Sequence, residues 1–257
     1  MSITEKYRLT QMVHTDGPVI KVCDLKKGFG TKVVLDDLSI ELNRGESIVV
    51  LGRSGSGKSV FIKCIIGLLK PDAGSIHVLG QDMATLDHDQ TDRLRSHIGF
   101  LFQSNALYDS MTIRENLEFP MRRHLNTLVR EQLDEHIIKT LTNVGLAHTV
   151  DMMPAELSGG MQKRIALARA LVLNPEIILY DEPTSGLDPI TSKEISSLMT
   201  GIQEQYNTSS IIISHDMSCV KRTADRIMVL LGGKCYAMGS WAELARSNDD
   251  NIKQFFE

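Results

Sequence analysis

Gly52 to Ser59 reads GRSGSGKS and fits G-x-x-x-x-G-K-[ST], the pattern of a phosphate-binding loop. An apolar, β-rich run, ESIVVL (Glu46 to Leu51), precedes it. VFIKCIIGLL (Val60 to Leu69), apolar and of helical length, follows. Strand, glycine loop and helix form the context in which the motif acts. Glycines let backbone N–H groups converge on phosphate oxygens with no side chain in the way. The helix start adds unpaired N–H groups and the positive end of its dipole. Lys58 is expected to reach the β- and γ-phosphates, and the Ser59 hydroxyl to sit on Mg²⁺. The bland alternative, a Gly/Ser-rich surface turn, leaves the strand and helix on either side unexplained.

Outward from this loop, the chain has 257 residues, 42% hydrophobic and 23% charged, an ordinary globular composition. The length suits one large domain or a core with a subdomain. With a formal net charge of -4, nothing points to nucleic acid as a partner. The four cysteines, Cys23, Cys64, Cys219 and Cys235, form no C-x-x-C pair. They read as reduced thiols in a cytosolic protein. The opening residues MSITEKYRLTQ lack the apolar stretch of a signal peptide. No apolar run approaches the roughly 18 residues that a membrane span needs. Any membrane-spanning part is therefore expected in another chain.

Residues 1–18 are polar and read as an N-terminal extension. VIKVCDL (Val19 to Leu25) alternates as a half-buried strand, KKGFGTK (Lys26 to Lys32) reads as a turn, and VVLDDLSIEL (Val33 to Leu42) as a second strand. The early strands are expected to be antiparallel. Phe29 either covers the sheet or stacks on a base with little base selectivity. SIHVLG (Ser75 to Gly80) and IGFLFQ (Ile98 to Gln103) are further short strands. From about residue 104 the pattern turns helical. TIRENLEFPMRR (Thr112 to Arg123) suggests a helix broken near Pro120. Val129, Leu133, Ile137, Leu141 and Val144 mark one helical face that stops at Gly145. LSGGM (Leu157 to Met161) opens a helix with Ser158 as N-cap. A long helix is expected up to Tyr206, then a strand SIIIS (Ser210 to Ser214). RIMVLL and KCYAMG should close as a hairpin around Gly232-Gly233. One or two short helices are expected in the tail.

IILYDE (Ile177 to Glu182) is an apolar strand that delivers two carboxylates to its polar end, the ligand-binding edge of such sheets. Asp181 is placed to hold Mg²⁺, and Glu182, pointing the other way, to polarise a water. Gln103 and His215 each end a core strand, which makes both candidates for the γ-phosphate. Ser158, Gly159 and Gly160 at a helix start form a second anion site. One chain has no use for it on its own nucleotide. A second copy has.

In this order, GRSGSGKS, Gln103, LSGGMQ, IILYDEPTSGLD and His215 resemble the ATPase subunit of an ABC transporter, over nearly all of Val19 to Leu244. The resemblance implies an α/β fold, a P-loop NTPase core with an antiparallel β subdomain and a helical subdomain. It places the ATPase domain at 19–246, the helical insertion at about 104–172 and a tail at 247–257. It further implies ATP and Mg²⁺ as ligands and a head-to-tail dimer sandwiching two nucleotides. The nucleotide would be held by Phe29 stacked on adenine, by Gly52, Arg53, Ser54, Gly55, Ser56, Gly57, Lys58, Ser59 and Val60, and by the partner's Ser158-Gly159-Gly160 segment. Glu182 would be the general base, Lys58 and His215 would contact the γ-phosphate, and Ser59, Gln103 and Asp181 would serve the metal. Asp188 would lie in the segment that communicates across the dimer.

Within that family, LFQSNALYDSMTIRENLEFPMRRH, DPIT (Asp188 to Thr191) and the tail DDNIKQFFE are similar to the ATPases of Mla/Mce-type phospholipid transport systems. That similarity implies a permease on the cytoplasmic face of the inner membrane and an Mce-type lipid-binding protein as partners. Importers of methionine or polar amino acids, and a cell-division switch protein, remain alternative readings. The helical stretch Leu107 to Arg123, just after Gln103, is expected to dock the permease.

Overall fold

The computed structural model describes residues 17–124 and 129–256. The polar N-terminal extension therefore lies almost wholly outside the described residues.

Two sheets form the core. Strands β1 (Ile20–Phe29), β2 (Lys32–Leu42), β4 (Ala73–Val78) and β5 (Gln81–Asp82) make an antiparallel sheet in the order β2-β1-β4-β5. Strands β3 (Ser47–Leu51), β6 (Ile98–Leu101), β7 (Ile177–Asp181), β8 (Ser209–Ile213), β9 (Arg226–Leu231) and β10 (Lys234–Gly239) make the second, in the order β10-β9-β3-β8-β7-β6. It is parallel from β9 to β6, with only β10 reversed.

The parallel strands are apolar on both faces because both faces are covered. In β3, Ile48 and Val50 enter one core and Val49 and Leu51 the other. In β7, Ile177 and Leu179 are divided from Ile178 and Tyr180 in the same way. The first core lies between the two sheets and is filled from helix α1 (Lys58–Ile65) by Phe61, Ile62, Cys64 and Ile65. The second is covered by α6 (Pro189–Tyr206) and α7 (Met217–Thr223), through Ile195, Met199, Ile202 and Val220. The two short tail helices, α8 (Trp241–Ala245) and α9 (Asp250–Lys253), add Leu244 and Ile252 to it. Helix α2 (His88–Ser96), which the sequence pattern did not suggest, begins with an Asp87 capping box.

A third core belongs to α3 (Ile113–His124), α4 (Arg130–Asn143) and α5 (Gly159–Leu171). Helix α5 serves two cores at once: Ile165 and Ala168 face the helical insertion, while Ala166 and Leu167 face the large sheet. No helix among the described residues is long and apolar enough to cross a membrane.

Three local expectations change. Pro120 lies inside α3 without breaking it. Buried Ile113, Leu117 and Met121 pin the helix on both sides of the proline, so tertiary packing offsets the lost backbone bond. Lys26 to Phe29 continue β1, and the turn shrinks to Gly30-Thr31, because Lys27, Gly28 and Phe29 pair with Leu35, Val33 and Lys32. Val129 is 59% exposed, so the apolar face of α4 begins later, with Ile137 and Leu141 buried.

At the sheet edge far from the phosphate loop, Glu176 braces three segments. Its carboxylate meets Arg44 Nη1 at 2.7 Å and His97 Nδ1 at 3.4 Å. The His97 hydrogen bond first, and then the Arg44 guanidinium, hold this carboxyl down at about 2, below its ordinary 4.5. A depressed acid contributes stability above its unfolded value and loses it as pH falls to the folded value. Glu176→Gln is expected to cost about 1.5–3 kcal/mol at neutral pH. Urea unfolding of both proteins across pH checks it. The gap should hold above pH 4.5 and close between 4.5 and about 2; a gap that persists in acid contradicts the brace.

Candidate functional site

β3 runs out at Leu51 into the glycine loop, and α1 leaves the loop at Lys58. Gly57 has φ 104, and a Cβ there would lie 3.0 Å from the Val34 carbonyl and from the Val34 and Leu35 side chains. Only glycine fits that bend. Gly57 is also the N-cap of α1 and offers no side-chain bond, so the first turn keeps free N–H groups. At Gly52 a Cβ would meet Ser56 Oγ at 2.6 Å and the Leu230 carbonyl at 2.8 Å. Ser56 Oγ itself is buried without a hydrogen-bond partner. The Lys58 ammonium crosses the loop and donates to the carbonyls of Gly52 at 2.7 Å and Arg53 at 3.1 Å. Burial pushes its pKa down, while Glu182 and Asp181 pull it back up.

Strand register brings the other groups to the loop. Val50 of β3 and Asp181 of β7 both pair with Ile213 of the intervening β8, so all three strands end at one level. Ser59 Oγ donates to Asp181 Oδ1 at 3.3 Å. Glu182 leaves the strand with φ 52, and its N–H donates to the Ile213 carbonyl at 3.0 Å. Such a backbone is uncommon outside glycine and asparagine, and it reaims the side chain. The Glu182 carboxylate, only 14% exposed, meets His215 Nδ1 at 2.7 Å, while the His215 side chain is 72% exposed.

The result is a cleft of about 680 Å³. It is lined by Phe29, Gly52, Ser54, Gly55, Ser56, Gly57, Lys58, Ser59, Val60, Gln103, Asp181, Glu182 and His215, all expected from the sequence. The volume is that of a ligand pocket. Phe29 stands at the tip of the β1–β2 hairpin, 49% exposed, with the Lys27 ammonium 5.4 Å from its ring centre. For a metal, the donors present are oxygens: the Ser59 hydroxyl, the Asp181 carboxylate and the amide of Gln103. No cluster of three His, Cys, Asp or Glu forms a metal site among the described residues. A few hard oxygens with room for phosphate and water suit Mg²⁺, which rarely takes a full protein cage.

Four expected residues are not in this cleft. Arg53 turns its guanidinium to the Gln254 side chain of the tail. Ser158, Gly159 and Gly160 start α5 outside it. Ser158 caps Met161 N at 3.3 Å, no atom lies within 4 Å of a Cβ built on Gly159, and a Cβ built on Gly160 would meet the Thr191 methyl at 2.7 Å. Asp188 caps α6 through Ile190 N and Thr191 N, and the bonds from Thr191 hold its carboxyl below the usual range. Sequence reasoning missed Lys32, Val34 and Ile213, which also line the cleft. Their only signal was membership of strands whose ends converge there.

An ABC transporter family pattern matches residues 35–185. The chain is 38% identical to the "Probable ribonucleotide transport ATP-binding protein mkl" of Mycobacterium leprae over 93% of its own length and 69% of the relative's. It spans 66% of the Mycobacterium tuberculosis counterpart. Identity is 36% to the "Intermembrane phospholipid transport system ATP-binding protein MlaF" of Haemophilus influenzae, over 93% of this chain and 90% of that one. Among solved structures, the dimeric ATP-binding cassette MJ0796 bound to ADP and Pi superposes with a TM-score of 0.78 at 30% identity, covering 86% of this chain and 98% of that one. On these likenesses the chain belongs to the ABC transporter family, as one of its ATP-binding and ATP-hydrolysing subunits.

Proposed function

We propose that this subunit energises movement of phospholipid between bacterial membranes. It would act as a homodimer on the cytoplasmic face of a permease, in a system with an Mce-type lipid-binding protein. Support for the lipid assignment comes from the 36% identity to MlaF over 90% of that protein's length. Support for the dimer comes from Ser158-Gly159, exposed at a helix start outside the chain's own cleft, free to face a nucleotide held by a second copy.

Each residue has a role in this reading. Phe29 stacks on adenine. Lys58 and the free N–H groups of α1 take the phosphates. Mg²⁺, when bound, neutralises phosphate charge, with Ser59, Asp181 and Gln103 to hold it. Glu182 accepts a proton from the attacking water, and His215 orients its carboxylate through the 2.7 Å contact. The other His215 nitrogen is left for the γ-phosphate. Gln103, two residues beyond β6, ties the cleft to the segment that follows.

That segment presents a docking face. A groove of about 350 Å³ is lined by Phe102, Tyr108, Phe119, His124 and Arg169 among others. Tyr108 is 43% and Phe119 51% exposed, and their rings lie 5.1 Å apart. Fully buried Asn116 holds the Tyr108 backbone from both sides, accepting from its N–H at 2.8 Å and donating to its carbonyl at 3.1 Å. The face is therefore braced from below, aromatic, and bordered by the guanidinium groups of Arg95 and Arg169. Leu107, expected beside Tyr108 as a contact, packs into two of the cores instead.

Three outcomes test the reading. Glu182→Gln should lower ATP hydrolysis about 10²- to 10⁴-fold and keep nucleotide binding, whereas Lys58→Ala should weaken binding itself. Wild-type turnover by the Glu182→Gln protein, assayed with its permease, would remove Glu182 from the role of base. In proteoliposomes holding the co-purified complex, ATP should drive movement of a fluorescent phospholipid; ATP-driven uptake of methionine instead overturns the lipid assignment. Replacing Tyr108 and Phe119 together by Asp should release the subunit from the permease at least about tenfold, with ATP binding by the isolated chain intact. Undiminished co-purification would dismiss the docking face.

A further inference from the structure

Lys163 lies in α5, five residues after Ser158, and only 2% of it is exposed. A charge so placed needs a partner. Its partner is the backbone of another element: Nζ donates to the Gln103 carbonyl at 2.9 Å. Burial pushes the ammonium's pKa down, and the carboxylates of Asp181 and Glu182 pull it up. One buried cation thus lies among the helix of LSGGM, the loop of Gln103 and the cleft carboxylates.

The same helix holds the loop twice more. Arg169 Nη1 donates to the Ala106 carbonyl at 2.7 Å and Nη2 to that of Asn105 at 3.1 Å. Asn105 and Ala106 have φ 62 and 52, consecutive left-handed residues without a glycine. Such a backbone is costly and persists only where its surroundings impose it. Three loop carbonyls are therefore fixed by two cations of α5.

We infer that Lys163 is a positioning residue for hydrolysis: through the Gln103 carbonyl it fixes where the Gln103 side chain enters the cleft, and it ties that position to the helix that opens with Ser158. This rests on the reading of Gln103 as a residue that contacts nucleotide, metal or water. Misplacing such a group by about 1 Å can cost up to about 10²-fold in rate. A purely structural lysine would make a different demand, because its aliphatic stem alone would fill the space.

Steady-state hydrolysis of ATP·Mg²⁺ by the full-length chain separates the two. Lys163→Met keeps the stem and removes the ammonium; Lys163→Arg keeps a cation. Lys163→Met should lower kcat about tenfold, the worth of one hydrogen bond, with KM for ATP within about twofold. Lys163→Arg should recover most of the loss. In a Gln103→Ala background Lys163→Met should add less than about twofold, because residues acting as a unit are not additive. Equal losses in both backgrounds, or an unchanged kcat in Lys163→Met, overturn the inference. Wild-type turnover by Gln103→Ala alone would instead remove the role given to Gln103, and the inference would fall with it. Should Lys163→Met not show a cooperative melt, Lys163→Gln carries the same comparison and the same cycle with Gln103→Ala.

Discussion

Parallel pairing of β3, β8 and β7 is the constraint on which the site depends. Because Val50 and Asp181 share Ile213 as their partner, the three strands end together. The phosphate loop, Glu182 and His215 then emerge at one edge, although Lys58 and His215 are far apart in the chain. Register cannot slip: with Ile48 and Val50 in one core and Val49 and Leu51 in another, moving one residue would exchange the side chains of two filled cores. Packing precision becomes placement precision for the carboxylates.

Charge at that edge is arranged before nucleotide arrives. Lys58 is half-buried and Lys163 fully so; burial lowers the pKa of each, and Asp181 and Glu182 attract both. Their protein partners are carbonyl oxygens, of Gly52 and Arg53 for one and of Gln103 for the other. Carbonyls satisfy the N–H groups without neutralising charge, which leaves the field available to phosphate. Of these two, Lys58 lies on the cleft wall and Lys163 does not.

Helix α5 joins the parts. One side completes the core of the helical insertion, another covers the large sheet, its first turn carries Ser158-Gly159-Gly160, and its cations hold the loop after Gln103. Arg164 pairs with Glu194 of α6, and Gly160 leaves no room for a Cβ beside Thr191, whose hydroxyl donates to Asp188. The start of α5 is therefore packed against the start of α6. The same helix also reaches the aromatic face of Tyr108 and Phe119, since Arg169 lies 5.9 Å from the Tyr108 ring.

The sequence alone determined the features set by local sterics and chemistry. Gly57 needs a backbone that only glycine adopts easily, Ser158 and Asp188 bond the N–H groups two or three residues ahead, and Gly232-Gly233, with φ 59 and 79, make a hairpin turn. From such residues the phosphate loop, the carboxylate strand and the family were legible. Tertiary structure decided what depends on residues distant in the chain. Pro120 stays in its helix because buried neighbours hold it there. Glu182 finds His215 only because β7 lies beside β8. The Arg53 side chain meets Gln254, which lies at the far end of the chain. Lys163 looks like a surface lysine in LSGGMQKR, and it becomes a buried brace only when α5 is laid against the loop of Gln103. Periodicity reports which face of an element is apolar; what that face meets is set by strand order and helix packing, which no local pattern encodes.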